Sequence, residues 1–214
     1  DSISATIEQP ATPTPTPEPI SYRPAEELDF EPASIAVQHK RELLDSHSSA
    51  ALGAITEQVQ QIIDTESPIL LDRAVKILAH RFDLSAVRGS RREQLEKFLP
   101  RDRIFKAPNG DQIVWATAAA RLDYTSYRVP TNGEQRDLFD VPYDELANAM
   151  VVTVRDAIQL SEDDVLRETA RRFGINTLTK RVRDRLLPIL QLQVTHRRFS
   201  QTDELYKLRL EERL

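Results

Sequence analysis

Two stretches of this sequence repeat one pattern at an offset of 91 positions. SPILLDRAVKILAHRFDL, which begins at Ser67, aligns with IQLSEDDVLRETARRFGI, which begins at Ile158. The identical pairs are Asp72 and Asp163, Ala79 and Ala170, Arg81 and Arg172, Phe82 and Phe173, Arg92 and Arg183, Leu95 and Leu186, and Leu99 and Leu190. Chance seldom preserves both spacing and identity, so the sequence predicts two tandem copies of one supersecondary unit. The alternative is that two amphipathic helix pairs resemble each other because both bury one apolar face.

Residues 67–116 predict two helices followed by a β-hairpin. The apolar residues of the first helix recur at offsets of three and four, at Leu71, Val75, Leu78, Ala79 and Phe82. Those of the second helix are Val87, Leu95, Phe98 and Leu99, and Pro100 closes it. Asn109-Gly110 then lies between the β-prone runs RIFKA and QIVWA, which is a strong hairpin signal. This order is typical of a winged helix, whose second helix can lie in a DNA major groove while the hairpin contacts the backbone.

The sequence therefore predicts a mainly α chain with short β-hairpins, organised as a linker and two winged-helix-like units. Residues 1–33 hold seven of the 13 prolines and predict a disordered spacer, because closely spaced prolines remove backbone donors. A docking peptide for a proline-binding module is the alternative. Residues 34–140 hold a helical lead-in, the first unit and a connecting loop, and residues 141–214 hold the second unit.

Two boundaries depend on local signals. Residues 117–141 predict an irregular connection, with Tyr127 and Phe139 expected to pin it to one of the units. In the second unit, Pro142 begins the first helix and Ser161 caps the next one. The helix after that is expected to end or kink at Pro188.

The composition excludes several classes of protein. There is no cysteine, which excludes a disulfide framework and a thiolate metal site and fits a reducing cytoplasm. No apolar run approaches the length that spans a membrane. The chain does not begin with methionine, so we expect it to be part of a longer protein.

The net charge of −5 is unevenly distributed along the chain. Residues 1–66 carry a net charge of −9, whereas residues 67–140 carry +3 and residues 141–214 carry +1. Both units are therefore mildly basic, although the whole chain is acidic. A mild positive charge is compatible with weak, salt-sensitive contact with phosphates, and it is also ordinary for a soluble domain.

The sequence contains no recognisable set of catalytic residues. It has 5 glycines, none in a phosphate-binding loop, no paired histidine motif, and no serine in a nucleophile context. We therefore expect a non-catalytic segment that holds no metal and no cofactor.

Cations on or beside the last helix of each unit, which is the second helix of its helix-turn-helix pair, are the candidate nucleic-acid contacts. In the first unit they are Arg88, Arg92 and Lys97, with Ser90 beside them, and in the second unit they are Lys180, Arg181 and Arg183. Arginine or lysine at such a position can reach guanine or phosphate. The alternative is that each belongs to the solvated face of a surface helix. Arg91 falls on the apolar face, so either its stem lies along the edge of the core or the helical register is shifted.

The run from Glu66 to about Arg197 resembles an uncharacterised bacterial domain near the C-terminus of large superfamily-1 DNA/RNA helicase-like proteins. The stretches that carry the resemblance are ESPILLDRAVKILAHRFDL, WATAAARLDYTSYRVP, VPYDELANAM and LSEDDVLRETARRFGINTLTKRVRDRL. In that family a helicase core precedes the domain, often with a restriction-endonuclease-like domain nearby. The resemblance implies these domains of the parent protein as partners, and it implies no catalytic residues. It departs at Arg91, where the family would favour an aliphatic residue.

These observations predict a non-catalytic accessory module of a helicase-like ATPase that binds nucleic acid. Duplex DNA is the expected ligand, and RNA remains open. The alternative is a protein-interaction platform that docks the ATPase or nuclease domains without touching DNA. A continuous basic stripe through Arg88, Lys97, Lys180 and Arg181 would favour the first function, and exposed apolar patches would favour the second.

Overall fold

The computed structural model describes residues 25–131 and 135–209. Helices account for 47% and strands for 14% of the structure, which agrees with a mainly α chain carrying short β-hairpins. The helices are α1 (Ser49–Glu66), α2 (Leu71–Arg81), α3 (Ser90–Glu96), α4 (Tyr143–Ala157), α5 (Glu162–Arg172) and α6 (Lys180–Thr195). The strands are β1 (Glu26–Phe30), β2 (Ile69–Leu70), β3 (Ile104–Lys106), β4 (Gln112–Val114), β5 (Ser126–Pro130), β6 (Leu160–Ser161), β7 (Phe199–Thr202) and β8 (Leu205–Leu208). Arg41–Asp45 and Arg101–Arg103 form short 3-10 turns.

The two halves of the described chain have the same element order. Helix, strand, helix, helix, strand, strand runs through α1, β2, α2, α3, β3 and β4, and again through α4, β6, α5, α6, β7 and β8. Each half has a three-stranded antiparallel sheet in which the first strand lies beside the last, in the orders β2-β4-β3 and β6-β8-β7. α5 begins and ends 91 residues after α2, so the sequence offset coincides with a structural one.

In the first unit, short-range signals define the ends of the elements. The Ser48 hydroxyl accepts a hydrogen bond from the Ala51 N–H at 3.2 Å and caps α1. α3 lacks such a cap, because the residue before it is Gly89, which has no side chain. Gly89 has a φ of 53°, which residues with a Cβ atom rarely adopt. The predicted hairpin is present as β3 and β4, with Gly110 at a φ of 93° in the turn.

In the second unit, Ser161 caps α5 as predicted, and Thr179 caps α6. The helix was expected to end or kink at Pro188, and it does not end there, since α6 continues to Thr195. Proline removes one helical hydrogen bond, but the surrounding packing compensates: Ile189 and Leu190 are fully buried directly after it. The residues beyond α6 form the β7–β8 hairpin.

The sheet of the first unit is buried on both faces. Ile69 and Val114 point into a core formed by α1, α2 and α3. Their neighbours Leu70, Ile113 and Trp115 belong to the core of the second unit. Successive residues of a strand face opposite sides, so two short strands serve both cores. The two units therefore pack directly on each other through this sheet.

The prediction that residues 1–33 form a disordered linker is wrong for Glu26–Phe30. Residues 1–24 lie outside the described residues, but Glu26–Phe30 forms β1, which pairs in parallel with β5 from the predicted irregular connection. Ala33 is buried, and its N–H donates to Glu66 Oε1 at 2.6 Å. The strand partner lies about 100 residues away in sequence, so no local pattern could reveal the pairing. Within the connection, Tyr127 is buried as expected, whereas Phe139 is 41% exposed.

Candidate nucleic-acid interface

The third helix of each unit, α3 or α6, presents its cations on the flanks and outer face of the helix. In α3, Leu95 points into the core and is fully buried. Ser90, Glu93 and Lys97 lie on the opposite face and are exposed. Arg91 and Arg92 occupy the two flanks between these faces.

In the first unit, Arg88 and Lys97 are exposed cations without a carboxylate partner in the described part of the chain. Arg88 lies just before α3, and Lys97 lies at its C-terminal cap. Ser90 begins the helix and is exposed. These three predicted residues are therefore open to a ligand.

Arg92, in contrast, is engaged within the unit. It pairs with Asp72 in the first turn of α2 and, at 2.8 Å, with Glu96 one turn further along α3. The hydrogen bond that Arg92 donates to Asp72 raises the pKa of Arg92 above its ordinary value. This arginine ties the start of α3 to the start of α2.

The same tie recurs in the second unit at equivalent positions. Arg183 of α6 pairs with Asp163 in the first turn of α5, and also with Glu162 at 2.9 Å. The hydrogen bond to Asp163 raises the pKa of Arg183. Arg92 and Arg183, like Asp72 and Asp163, are identical pairs of the repeat, so the sequence duplicates a structural contact here.

The other two predicted cations of the second unit also have acidic partners. Lys180 Nζ lies 2.5 Å from Asp184 one turn along α6. Arg181 lies 3.1 Å from Asp137 and stacks over the Phe139 ring at 4.4 Å. All three candidate cations of α6 are thus neutralised locally, whereas two of three in the first unit are not.

Arg91 lies along the edge of the core, as one of the two sequence alternatives required. Its guanidinium donates to both carboxylate oxygens of Asp45, at 2.7 and 3.2 Å, and to Gln94 at 2.7 Å. Asp45 belongs to the 3-10 turn of the lead-in segment, and its pKa is lowered by the hydrogen bond from Arg91. Arg91 thus holds the lead-in segment against α3.

An acidic residue lies at the centre of the outer face in both third helices. Glu93 of α3 and Asp184 of α6 are 91 residues apart and occupy equivalent positions. Glu93 has no ion-pair partner among the described residues, and Asp184 pairs with Lys180. A carboxylate there repels phosphate but can accept a hydrogen bond from cytosine N4.

Sequence reasoning missed several exposed cations next to α3. Arg101 lies in the 3-10 turn after the helix, and Lys106 lies at the end of β3 in the hairpin. The run KFLPRDRIFK gave a signal for them, because it contains four cations and a single acid. They extend the positive charge of the first unit from α3 towards its hairpin.

The two hairpin turns differ in whether they could contact a nucleic acid. In the first unit, Asp111 follows the turn and pairs bidentately with Arg185 of α6 at 2.8 and 3.1 Å. In the second unit, the turn between β7 and β8 is formed by exposed Asp203 and Glu204. The first turn is held against α6, and the second is acidic.

Next to the interface, a buried cluster of charges joins β1, α2, β5 and α4. Arg128 and Arg136 pair with the fully buried Glu145 at 2.5 and 2.8 Å. Arg73 pairs with Glu66 at 2.6 Å. The Phe30 ring lies among these guanidiniums, 3.8 Å from that of Arg136. This cluster anchors β1 and contributes nothing to the outer surface of α3.

Neither a metal site nor a membrane span is found in the described residues. No three histidine, cysteine or carboxylate side chains among residues 25–131 and 135–209 are grouped so that they could hold a metal ion. No helix in the same ranges is both long enough and apolar enough to cross a bilayer.

No protein-family model matches the chain, and no curated protein and no solved structure is significantly similar to it.

Proposed function

We propose that each unit is a winged helix and that the chain is a non-catalytic module that binds duplex nucleic acid, most favourably DNA. From the family resemblance we further propose that it serves a helicase-like ATPase in the cytoplasm. The helicase and nuclease domains of the parent protein would then be its partners. The order of elements and the order of strands in both units support the winged-helix interpretation.

The observation that carries the proposal is the pair of unpartnered, exposed cations at the two ends of α3. Arg88 and Lys97 make no ion pair among the described residues, so their charges are free to neutralise phosphates. Arg101 and Lys106 lie nearby in sequence and carry the charge towards the hairpin. A winged helix contacts DNA with its third helix and its hairpin, which is where these cations are found.

The second unit contributes less to this binding. Lys180 and Arg181 must exchange Asp184 and Asp137 for a phosphate before they contribute. Exposed ion pairs of this kind stabilise a protein by roughly 0.2–1 kcal/mol. Breaking them therefore costs little free energy, but that cost is subtracted from the binding free energy of each phosphate contact. We therefore assign the main contact to the first unit and a supporting one to the second.

Fluorescence anisotropy on short labelled duplexes at several salt concentrations tests the proposal. We expect weak binding with little sequence preference and an affinity that falls as salt rises, because the contacts are made to phosphates. Replacing Arg88 and Lys97 together with alanine should weaken binding on unrelated sequences and flatten the salt dependence by about two charges. Replacing Lys180 and Arg181 together should act in the same direction but more weakly.

Both double variants should fold like the wild type, because all four side chains are exposed. Far-UV circular dichroism checks this. Absence of binding by the wild type at low salt, or equal affinity of the Arg88/Lys97 variant, would refute the nucleic-acid proposal.

A protein-docking platform is the second candidate, and the acids at the centre of both third helices favour it. Glu93 and Asp184 occupy the position that would face the groove, where a carboxylate repels the DNA backbone. A partner with a basic surface would match them. Binding of the chain to separately produced helicase or nuclease domains, abolished by Glu93→Lys and Asp184→Lys, would support this function.

A further inference from the structure

The lead-in segment of the first unit runs beside the connection between α2 and α3. At one end, the N–H groups of Gln38 and His39 donate to the carbonyl of Arg81, the last residue of α2, at 2.8 and 2.9 Å. At the other end, Gln94 of α3 donates to the Leu44 carbonyl at 2.6 Å. Residues 40–43 therefore span from the end of α2 to the middle of α3, alongside residues 82–89.

This placement is fixed by packing as well as by hydrogen bonds. Leu44 is buried in the core of the first unit. The His39 ring stacks on Phe82 with the centroids 5.0 Å apart. Asp45 holds Arg91 through two hydrogen bonds. The backbone of the segment is thus secured at both ends, while the side chains between them project from it.

Two of those side chains are exposed cations with no role in holding the fold. Lys40 makes no ion pair within the described residues. Among the described residues Arg41 forms a single ion pair, with its neighbour Glu42 at 3.5 Å, and both side chains are about two-thirds exposed. An exposed pair of adjacent residues contributes little to stability. The charges of Lys40 and Arg41 therefore remain available to a ligand.

The equivalent corner of the second unit is covered differently. There Arg172, the counterpart of Arg81, donates to the Tyr127 hydroxyl at 2.8 Å and pairs with Glu27 of β1 at 3.4 Å. Tyr127 lies edge-on to Phe173, as His39 stacks on Phe82. The covering strand β1 brings Glu26, Glu27 and Asp29 and no cation. The same corner is thus cationic in the first unit and acidic in the second.

We propose that Lys40 and Arg41 form an arm that contacts backbone phosphates of a duplex lying against α3. The inference rests on the proposed function, since it extends the same interface from Arg88 across the α2–α3 connection. The carboxylates beside the arm are Glu42, which faces Arg41, Asp45, which Arg91 neutralises, and the exposed Asp83 of the α2–α3 connection. Together with Arg88 and Arg91, the arm leaves an excess of one positive charge at the start of α3.

The test is duplex binding by the full chain with Lys40 and Arg41 both replaced by alanine. The matched control is Arg167→Ala with Arg171→Ala, which removes two acid-paired cations from α5, one half-buried and one exposed, outside the proposed interface. Anisotropy with labelled duplexes is measured across a salt series for the wild type, both double variants and the Arg88/Lys97 variant. Thermal unfolding confirms that each variant folds.

If the arm contacts phosphates, the Lys40→Ala/Arg41→Ala variant should bind the duplex several-fold more weakly than the wild type. The slope of its affinity against salt concentration should be smaller by about two. The control variant should bind like the wild type. An equal loss in the control would mean that bulk charge alone is measured, and it would refute the arm. Wild-type affinity in the Lys40/Arg41 variant, with a loss in the Arg88/Lys97 variant, would refute the arm and leave the proposed function intact. Absence of binding by the wild type would overturn both.

Discussion

Glu145 shows how a single buried carboxylate connects several elements. It is completely inaccessible, and its oxygens accept hydrogen bonds from the Arg128 backbone N–H at 2.8 Å and from the Arg128 and Arg136 guanidiniums. Burial alone would raise the pKa of Glu145, but the charges and hydrogen bonds of Arg136 and Arg128 outweigh it and hold the pKa below its ordinary value. The folded state therefore favours the ionised form.

Replacing Glu145 with glutamine should destabilise the protein by about 3–5 kcal/mol, because two buried guanidiniums lose their counter-charge. The wild type should also lose stability in acid. A carboxyl whose pKa is lowered on folding stabilises the protein above its unfolded pKa, here 4.5, and the contribution is lost as the pH falls further through the folded pKa. Urea denaturation at pH 7 and over an acidic series measures both effects.

Glu168→Gln is the control, since the Glu168 side chain is 42% exposed and pairs only with Arg171 in the described residues. It should change stability little. A Glu145→Gln variant as stable as this control would mean that the buried cluster does not hold β1 and α4 in place.

At the scale of elements, the two units differ in how their helices begin. α5 and α6 are capped by Ser161 and Thr179. α2 and α3 begin after Leu70 and Gly89, neither of which offers a capping side chain. Gly89 instead adopts a φ of 53° and a ψ of −131°, which is a strained conformation for any other residue. This glycine sets the direction in which α3 leaves the connection.

Gly89→Ala should therefore lower the free energy of unfolding by about 1–3 kcal/mol through backbone strain alone. An added Cβ would meet no atom within 4 Å, so no clash contributes. Gly53→Ala in α1 is the matched control, because its Cβ also meets nothing and alanine is the better helix former. That change should stabilise the protein by about 0.5–1 kcal/mol. Urea denaturation of both variants would contradict this account if Gly89→Ala were as stable as the wild type.

The elements also show which parts of the structure the sequence could predict. The helix faces, the Ser161 cap and the Asn109-Gly110 hairpin follow from short-range patterns, and they are present. The β1–β5 pair joins residues 100 positions apart, and its register depends on the packing of Tyr127 rather than on any local signal. α6 continues through Pro188 because its tertiary packing outweighs the local cost of proline.

The candidate site likewise has features that the sequence predicts and features that it does not. Helical spacing alone placed the exposed cations of α3 and α6. The Asp184 partner of Lys180 follows from its distance of four positions, and it is visible in the sequence. The Asp137 partner of Arg181 is 44 residues away, and the lead-in segment reaches α3 only through the folded chain. Ion pairs between distant segments decide which cations remain free, and the sequence does not reveal them.

At the scale of the whole molecule, the two units share a boundary that is both apolar and charged. Trp115 lies on the strand side of the first unit but packs in the core of the second, edge-on to Tyr124. Beside it, Arg185 of α6 is largely buried. It pairs with Asp111 of the first hairpin and donates to the carbonyls of Leu138 and Val141. The hairpin of the first unit is therefore part of the contact surface with the second.

This boundary predicts that the two units unfold together and that Arg185 couples them. Arg185→Ala removes the guanidinium that Asp111 and the Val141 carbonyl bind at the junction and one of the two donors of the Leu138 carbonyl, so the unfolding free energy should fall by about 3 kcal/mol. Trp115 is the single tryptophan of the chain, so its fluorescence reports on the junction while circular dichroism reports on all helices. In the wild type the two unfolding curves should coincide.

In Arg185→Ala the fluorescence transition should precede the loss of helix, because the junction opens before the individual cores. Arg183→Ala is the control on the same helix. Its partner Asp163 is exposed and its partner Glu162 is half-buried, so the loss should be much smaller and the curves should stay together. Coincident curves in Arg185→Ala, with a loss no larger than in Arg183→Ala, would mean that the shared apolar sheet alone holds the units together.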